Sequence, residues 1–165
     1  MLNIGGISNL SLLRADGSQL GFDCGPGNGL MDLWCERHQG KEFDEGGAWA
    51  AGGEVDRPLL NALLADPYFR KRPPKSTGRD LFNAQWLDRA LGNATGVGPV
   101  EDVQATLAAL TARTLADAVR THCEGAQELL VCGGGARNTD LMLGKTATIT
   151  YDIVIVEGDR VPDPA

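Results

Sequence analysis

Two short stretches hold residue types suited to anion chemistry. Residues 3–9 read Asn-Ile-Gly-Gly-Ile-Ser-Asn, and residues 131–138 read Val-Cys-Gly-Gly-Gly-Ala-Arg-Asn. Each is an apolar run that stops on bare glycines and then meets an asparagine. Glycine has no side chain to hold a ligand away, so backbone N–H groups can come close, and phosphate oxygens accept several such bonds at once. Gly5 and Gly6, and Gly133, Gly134 and Gly135, are therefore candidate anion-facing positions. Asn9 and Asn138 could add side-chain donors, and Asn3, Asp23, Gly25 and Gly27 complete the candidate ligand-binding set. Asp23 stands just before the turn Cys24-Gly25-Pro26-Gly27-Asn28. It could orient a metal or a water, or bond the turn backbone at Gly25, the ordinary role of aspartate in such a place. For every glycine the alternative is a tight turn or close packing.

Two standard phosphate loops do not fit. Gly144-Lys145-Thr146 has the ending of a P-loop, but Thr139 stands where the first glycine is required. Gly133–Asn138 has asparagine where a dinucleotide fingerprint needs its third glycine. Cys24, Cys35, Cys123 and Cys132 show no C-x-x-C spacing, and only His38 and His122 could join them, so no metal site is expected. The expectation is reduced thiols in a cytoplasmic protein. A net charge of −7 argues against a nucleic-acid partner. No charged and apolar leader and no long apolar run is present, so no membrane partner is expected.

The elements that position the glycines follow from pattern. Residues 2–6, 9–14 and 19–23 read as three strands, with Asp16-Gly17 as the hairpin turn between the last two. Leu30, Leu33, Trp34 and Arg37 lie at helical spacing. Residues 39–57 read as a glycine-rich loop with a short helix, and a helix opens at Pro58. The proline-rich, basic stretch 66–80 reads as an exposed, irregular excursion, whose Lys75-Ser76-Thr77-Gly78-Arg79 could instead touch an anion. A short helix over 82–91 follows. The clearest helix is 102–123, with Asp102 as N-cap, an apolar stripe through Val103, Leu107, Leu110, Leu115, Ala118 and Val119, and His122 as a capping or surface residue. Residues 128–132 read as a strand buried on both faces, which a crossover would pair in parallel. The class is α/β, with a mixed sheet.

The segments NIGGISNL, GFDCGPGN, DPYFRKRPPKSTGRDLFNAQWL, DVQATLAALTA and ELLVCGGGARNTDLM, in this order, resemble the anhydro-N-acetylmuramic acid kinases. The resemblance implies the actin-like ATPase, ribonuclease H-like fold, with residues 1–142 as the second, C-terminal, nucleotide-binding lobe and 143–165 as a divergent tail. It implies ATP and Mg²⁺ as cofactors, and an anhydro amino sugar as substrate. Water opens the anhydro ring and the freed 6-oxygen takes the γ-phosphoryl, giving N-acetylmuramic acid 6-phosphate in cell-wall recycling. The family's catalytic aspartate lies upstream of the NIGGI segment, so no base is named here, and Met1 so close to the hairpin suggests a truncated reading frame. The full-length family implies a homodimer. On this resemblance Gly5 and Gly6 face phosphates and Gly133 to Gly135 face adenosine. The alternative is a catalytically inactive nucleotide-binding module. In the tail, alternation of Ile149, Tyr151, Ile153 and Ile155 predicts a strand.

Overall fold

A computed structural model describes residues 1–126, 128–143 and 152–155 of the chain. Strands β1 (Leu2–Ile4), β2 (Ile7–Leu13) and β3 (Gln19–Pro26) form an antiparallel meander. Its hairpin turns at Gly17, whose φ of +83° suits glycine, while the Ser18 N–H donates to Asp16 Oδ1 at 2.8 Å. Strand β4 (Glu128–Cys132) pairs in parallel with β1, and β5 (Asp152–Ile155) pairs in parallel with β4. The sheet order is β3-β2-β1-β4-β5. The strand expected over 149–155 thus appears as β5, in part; residues 149–151 lie outside the described residues.

One face of the sheet carries the core. Leu2, Ile4, Ser8, Leu10, Phe22, Cys24, Leu129 and Val131 are buried there. Strand β4 was expected to be buried on both faces, but Glu128 is exposed and Leu130 and Cys132 are half-buried. An unbroken apolar run does not show which side is packed; the alternating burial does. On the opposite face Asn3, Asn9, Asp23 and Cys132 form one polar row, because Asn3 lies opposite both Asn9 and Cys132, and Asn9 lies opposite Asp23.

The helices are α1 (Gly29–Gln39), α2 (Ala48–Gly52), α3 (Arg57–Leu64), α4 (Ala84–Asn93), α5 (Val100–His122) and α6 (Thr139–Leu143). The N-terminus of α3 is held by Asp56, whose Oδ1 accepts from the Leu59 N–H at 2.9 Å, and that of α4 by Asn83, which accepts from the Trp86 N–H at 3.0 Å. Helix α5 is the spine. The sheet, α1, α2 and α3 all pack on it, so Gln104, Thr106 and Thr111 are buried along with its apolar stripe. It begins after Pro99, not at Asp102 as expected. Asp102 sits in the first turn, and its Oδ1 accepts from the Glu54 N–H at 2.8 Å, tying the loop after α2 to the spine.

Segment 66–80 is irregular and mostly exposed, as its charges and prolines predict, yet it is also sewn to the edge strand β3. The Asp23 N–H donates to the Lys75 carbonyl at 3.1 Å, and the Tyr68 hydroxyl, 2 % exposed as a residue, donates to the Asp23 carbonyl at 2.7 Å. Phe69 stacks on Phe82, and Trp86 Nε1 donates to Asp66 Oδ2 at 2.8 Å. Burying one aromatic side chain stabilises by about 2–3 kcal/mol, which outweighs the preference of neighbouring charges for water, since long basic side chains keep their heads exposed.

Candidate functional site

Strands β1, β3, β4 and β5 run in one direction and β2 runs against them, so four strand ends and one strand start lie at one edge of the sheet. All three glycine turns stand there: Gly5–Gly6, Gly25–Gly27 and Gly133–Gly135. This is the carboxyl edge, where open α/β sheets hold ligands. The first turn is closed by the start of α1. The N–H groups of Gly27 and Gly29 donate to the Gly6 carbonyl at 3.0 Å each, and that of Asn28 to the Gly5 carbonyl at 2.7 Å. The middle turn is held from the core side. Ser8 Oγ donates to the Gly25 carbonyl at 3.1 Å, and the buried Thr111 hydroxyl reaches the carbonyls of Pro26 and Gly27 at 3.1 and 2.9 Å. Asn28 joins the first and last turns: its Nδ2 donates to the Ile4 carbonyl at 3.2 Å, and its amide lies against Gly134 and Gly135.

The glycines divide into two groups. A methyl group added at Gly27 would run into the Gly5 carbonyl, one at Gly29 would stand 2.9 Å from the Gly6 carbonyl oxygen, and one at Gly135 would run into Ile4. At Gly133 the φ is +87° and an added carbon would lie 2.6 Å from the Ile4 carbonyl oxygen; at Gly25 it would lie 2.7 Å from the Phe69 ring. These five let segments touch. The others are less tightly met. At Gly134 the nearest atom to an added carbon is Asn28 Nδ2 at 3.4 Å, at Gly5 the Ile7 carbonyl oxygen at 3.4 Å, and at Gly6 the tip of Arg79 at 3.0 Å.

Two cavities flank this edge and share Asp32. One, of about 300 Å³, is lined by Asn28, Met31, Asp32, Phe43, Gly134 and Arg137, among others. The other, of about 260 Å³, is lined by Gly6, Gly29, Asp32, Arg79 and Asn83, among others. Phe43 leaves an aromatic side chain 56 % exposed in the wall of the first. Such a ring offers a flat apolar surface to a ligand's aromatic face. Arg79 brings a guanidinium, suited to bidentate recognition of phosphate, into the second. Burial pushes the Asp32 carboxyl up to about 6, and Arg79 pulls in the opposite direction. The two cavities adjoin at Asp32 and make a groove lined by Phe43, Asp44 and Arg137 on one side and by Glu36 and Arg79 on the other.

The sequence model of anhydro-N-acetylmuramic acid kinases matches residues 1–157. The chain belongs to the anhydro-N-acetylmuramic acid kinase family. A kinase of that name from Chromobacterium violaceum is 60% identical over 142 residues, which is 86% of this chain and 39% of the relative. One from Paraburkholderia xenovorans is 58% identical over 140 residues, covering 85% and 37%. One from Xanthomonas campestris is 55% identical over 160 residues, covering 97% and 42%. The chain therefore spans about two fifths of the length of these kinases. The matches carry the family and the enzyme class, and they do not support the expected assignment to the C-terminal lobe. The family match also runs past residue 142, where the tail was expected to begin. The mixed α/β architecture is consistent with a lobe of a sugar-kinase ATPase. Among the described residues no helix is long and apolar enough to cross a membrane.

Within this family member the expected site residues separate. Gly6, Gly134 and Asn138 line the groove. Asn138 Oδ1 accepts from the Leu141 N–H at 2.9 Å and caps α6, which leaves its amide nitrogen, the donor expected from the sequence, on the cavity side. Asn3 and Asn9 lie in the polar row on the sheet face and not in the groove. Asp23 meets neither the groove nor the Gly25 backbone. Its Oδ2 accepts from Ser76 Oγ at 3.0 Å and the Thr77 N–H at 2.9 Å, fastening the loop before Arg79. Gly25, Gly27, Gly133 and Gly135 serve packing. Asn28, Asp32 and Phe43 were not singled out from the sequence. An aromatic residue in a glycine-rich polar stretch was the one available signal, for Phe43. Among the described residues no group of three or more histidines, cysteines or carboxylates converges.

Proposed function

We propose that this chain is the nucleotide-binding lobe of a kinase that uses ATP to phosphorylate 1,6-anhydro-N-acetylmuramic acid. The observation that carries the reading is the groove itself. Gly6 and Gly134, which line it, lie on different turns of one sheet edge, one beside a guanidinium and the other in a cavity with an exposed aromatic ring. The phosphates lie at Gly5, Gly6 and Arg79, where backbone N–H groups and a fork of donors suit them. The adenosine lies in the cavity of Phe43, Met31 and Gly134. Asp32, between them, suits Mg²⁺, which binds through one or two carboxylates and completes its shell with phosphate oxygens and water. When bound, the ion neutralises phosphate charge. Residues of this chain hold and orient the nucleotide. The ring opening by water and transfer to the freed 6-oxygen, giving N-acetylmuramic acid 6-phosphate, belong to the whole kinase, because transfer requires both phosphate and acceptor to be positioned.

Calorimetry of ATP with Mg²⁺ on the chain tests this. Gly134→Val, chosen because an added Cβ there meets only the Asn28 amide, at 3.4 Å, should abolish binding at matched thermal stability. If ATP binds the variant as it binds the parent chain, the adenosine assignment is wrong.

A further inference from the structure

A third cavity, of about 590 Å³, lies between segment 66–80, strand β3 and the last third of α5. None of Gly5, Gly6 or Gly133 to Gly135 lines it. Phe22, Leu64 and Phe69 give it an apolar floor, and Arg70, Lys71, Arg72 and Lys75 stand along one wall with His122 across from them. The size and mixture match small-molecule sites, which are concave, mostly apolar and equipped with a few polar groups.

The charges are what need a partner. The chain has 22 acidic residues against 15 basic ones, yet four bases gather here. Among the described residues the ion pairs are Arg37–Asp88, Arg113–Asp117 and Arg120–Asp117, so none of the four cations has a carboxylate. Asp117 does line the cavity, but its two oxygens are held by Arg113 and Arg120. Lys75 is half-buried. Its ammonium has the Tyr68 carbonyl at 3.4 Å, the Tyr68 ring at 4.7 Å and the Phe22 ring at 6.0 Å. Lys71 lies over the same Tyr68 ring at 5.7 Å. A partly dehydrated ammonium without a counter-charge is costly, and the cost falls when an anion arrives. The low-dielectric wall also concentrates the positive field into the cavity. Burial, Lys75 and Arg14 together hold the His122 pKa below the usual imidazole value.

We infer that this cavity binds a small organic anion, with its apolar body on Phe22, Leu64 and Phe69 and its headgroup at Lys75 and Arg72. It is a second ligand site, separate from the nucleotide groove. Octyl phosphate, below its micelle concentration, is the probe, with octanol and inorganic phosphate as its two halves. Binding is followed by calorimetry and by the His122 ring signals in a pH titration. Octyl phosphate should bind at least about tenfold tighter than either half, since the headgroup contact is a charge-assisted one. It should raise the His122 pKa, because a nearby anion favours the imidazolium. Lys75→Met and the exposed Arg72→Ala should each weaken it by about tenfold. If Lys75→Met lowers the thermal stability, Arg72→Ala decides alone. Binding that both variants leave unchanged, equal affinity for octanol, an unmoved His122, or displacement by ATP would each overturn the inference. Vesicles of anionic lipid should leave the chain in the supernatant; cosedimentation lost in Arg72→Ala would assign the wall to a lipid surface and overturn the free ligand.

Discussion

The first and last glycine turns at the sheet edge are closed in different ways. Gly5 and Gly6 are met by backbone: the N–H groups that open α1 point straight at their carbonyls. Gly133 to Gly135 are met by β1, through Asn3 and Ile4, with the Asn28 amide between. In the last turn Gly133 and Gly135 stand where a side chain would meet β1, while an added carbon would meet only the Ile7 carbonyl oxygen at 3.4 Å at Gly5 and the tip of Arg79 at 3.0 Å at Gly6. In each turn, one position is left facing a cavity, Gly6 beneath Arg79 and Gly134 beside Asn28. A run of glycines therefore marks close approach of segments at some of its members and not at others.

The largest effects should come from the packed members. Gly27→Ala must displace the Gly5 carbonyl, and Gly133→Ala must hold a side chain at a φ of +87° against the Ile4 carbonyl. Each should cost about 3 kcal/mol or more, read from the urea midpoint. A Gly133→Ala chain as stable as the parent would break the distinction between packed and open glycines. Gly134→Val should instead keep stability within about 1 kcal/mol while ATP affinity falls by more than about tenfold. Arg79→Ala should likewise spare thermal stability, because among the described residues the guanidinium has no ion pair, and should weaken ATP by about tenfold. Unchanged affinity would remove Arg79 from the nucleotide site. Asn28→Ala takes away the amide that joins the turns and should cost about 1–2 kcal/mol in the same urea experiment.

The smallest effect concerns pH. The folded Asp32 carboxyl sits near 6, above the 3.8 of an unperturbed aspartate. The native chain therefore binds more protons than the unfolded one between these values. Its stability contribution is most favourable below about 3.8 and is lost as pH rises through about 6. Asp32→Asn should flatten that part of the curve of melting temperature against pH. An unaltered slope would place the carboxylate in open water and leave the two cavities without their shared charge.

Much of the fold was legible from local signals. The hairpin at Asp16-Gly17, the cores of α1, α3, α4 and α5, and the strand before the triple glycine depend on turn chemistry and periodicity, which act over a few residues. Other features were not. The basic loop 66–80 was read from its charges, while Tyr68 and Phe69 decided its place by packing on β3 and Phe82. Asp102 has the side chain of a cap, but the Glu54 N–H competes for it from 48 residues away. Asp23 has the side chain of a turn former, yet Thr77 and Ser76 take its carboxylate.

The sequence by itself determined the family, the meander, the long helix and the three glycine turns, because each is written in neighbouring residues. Only the tertiary structure decided that those turns share one edge, that Gly6 and Gly134 line the cavities there, and that Arg79, Asp32 and Phe43 join them. The reason is physical. A glycine allows a close approach from any direction, and which atom makes that approach depends on parallel pairing of β4 with β1 and on the packing of distant segments against the sheet edge.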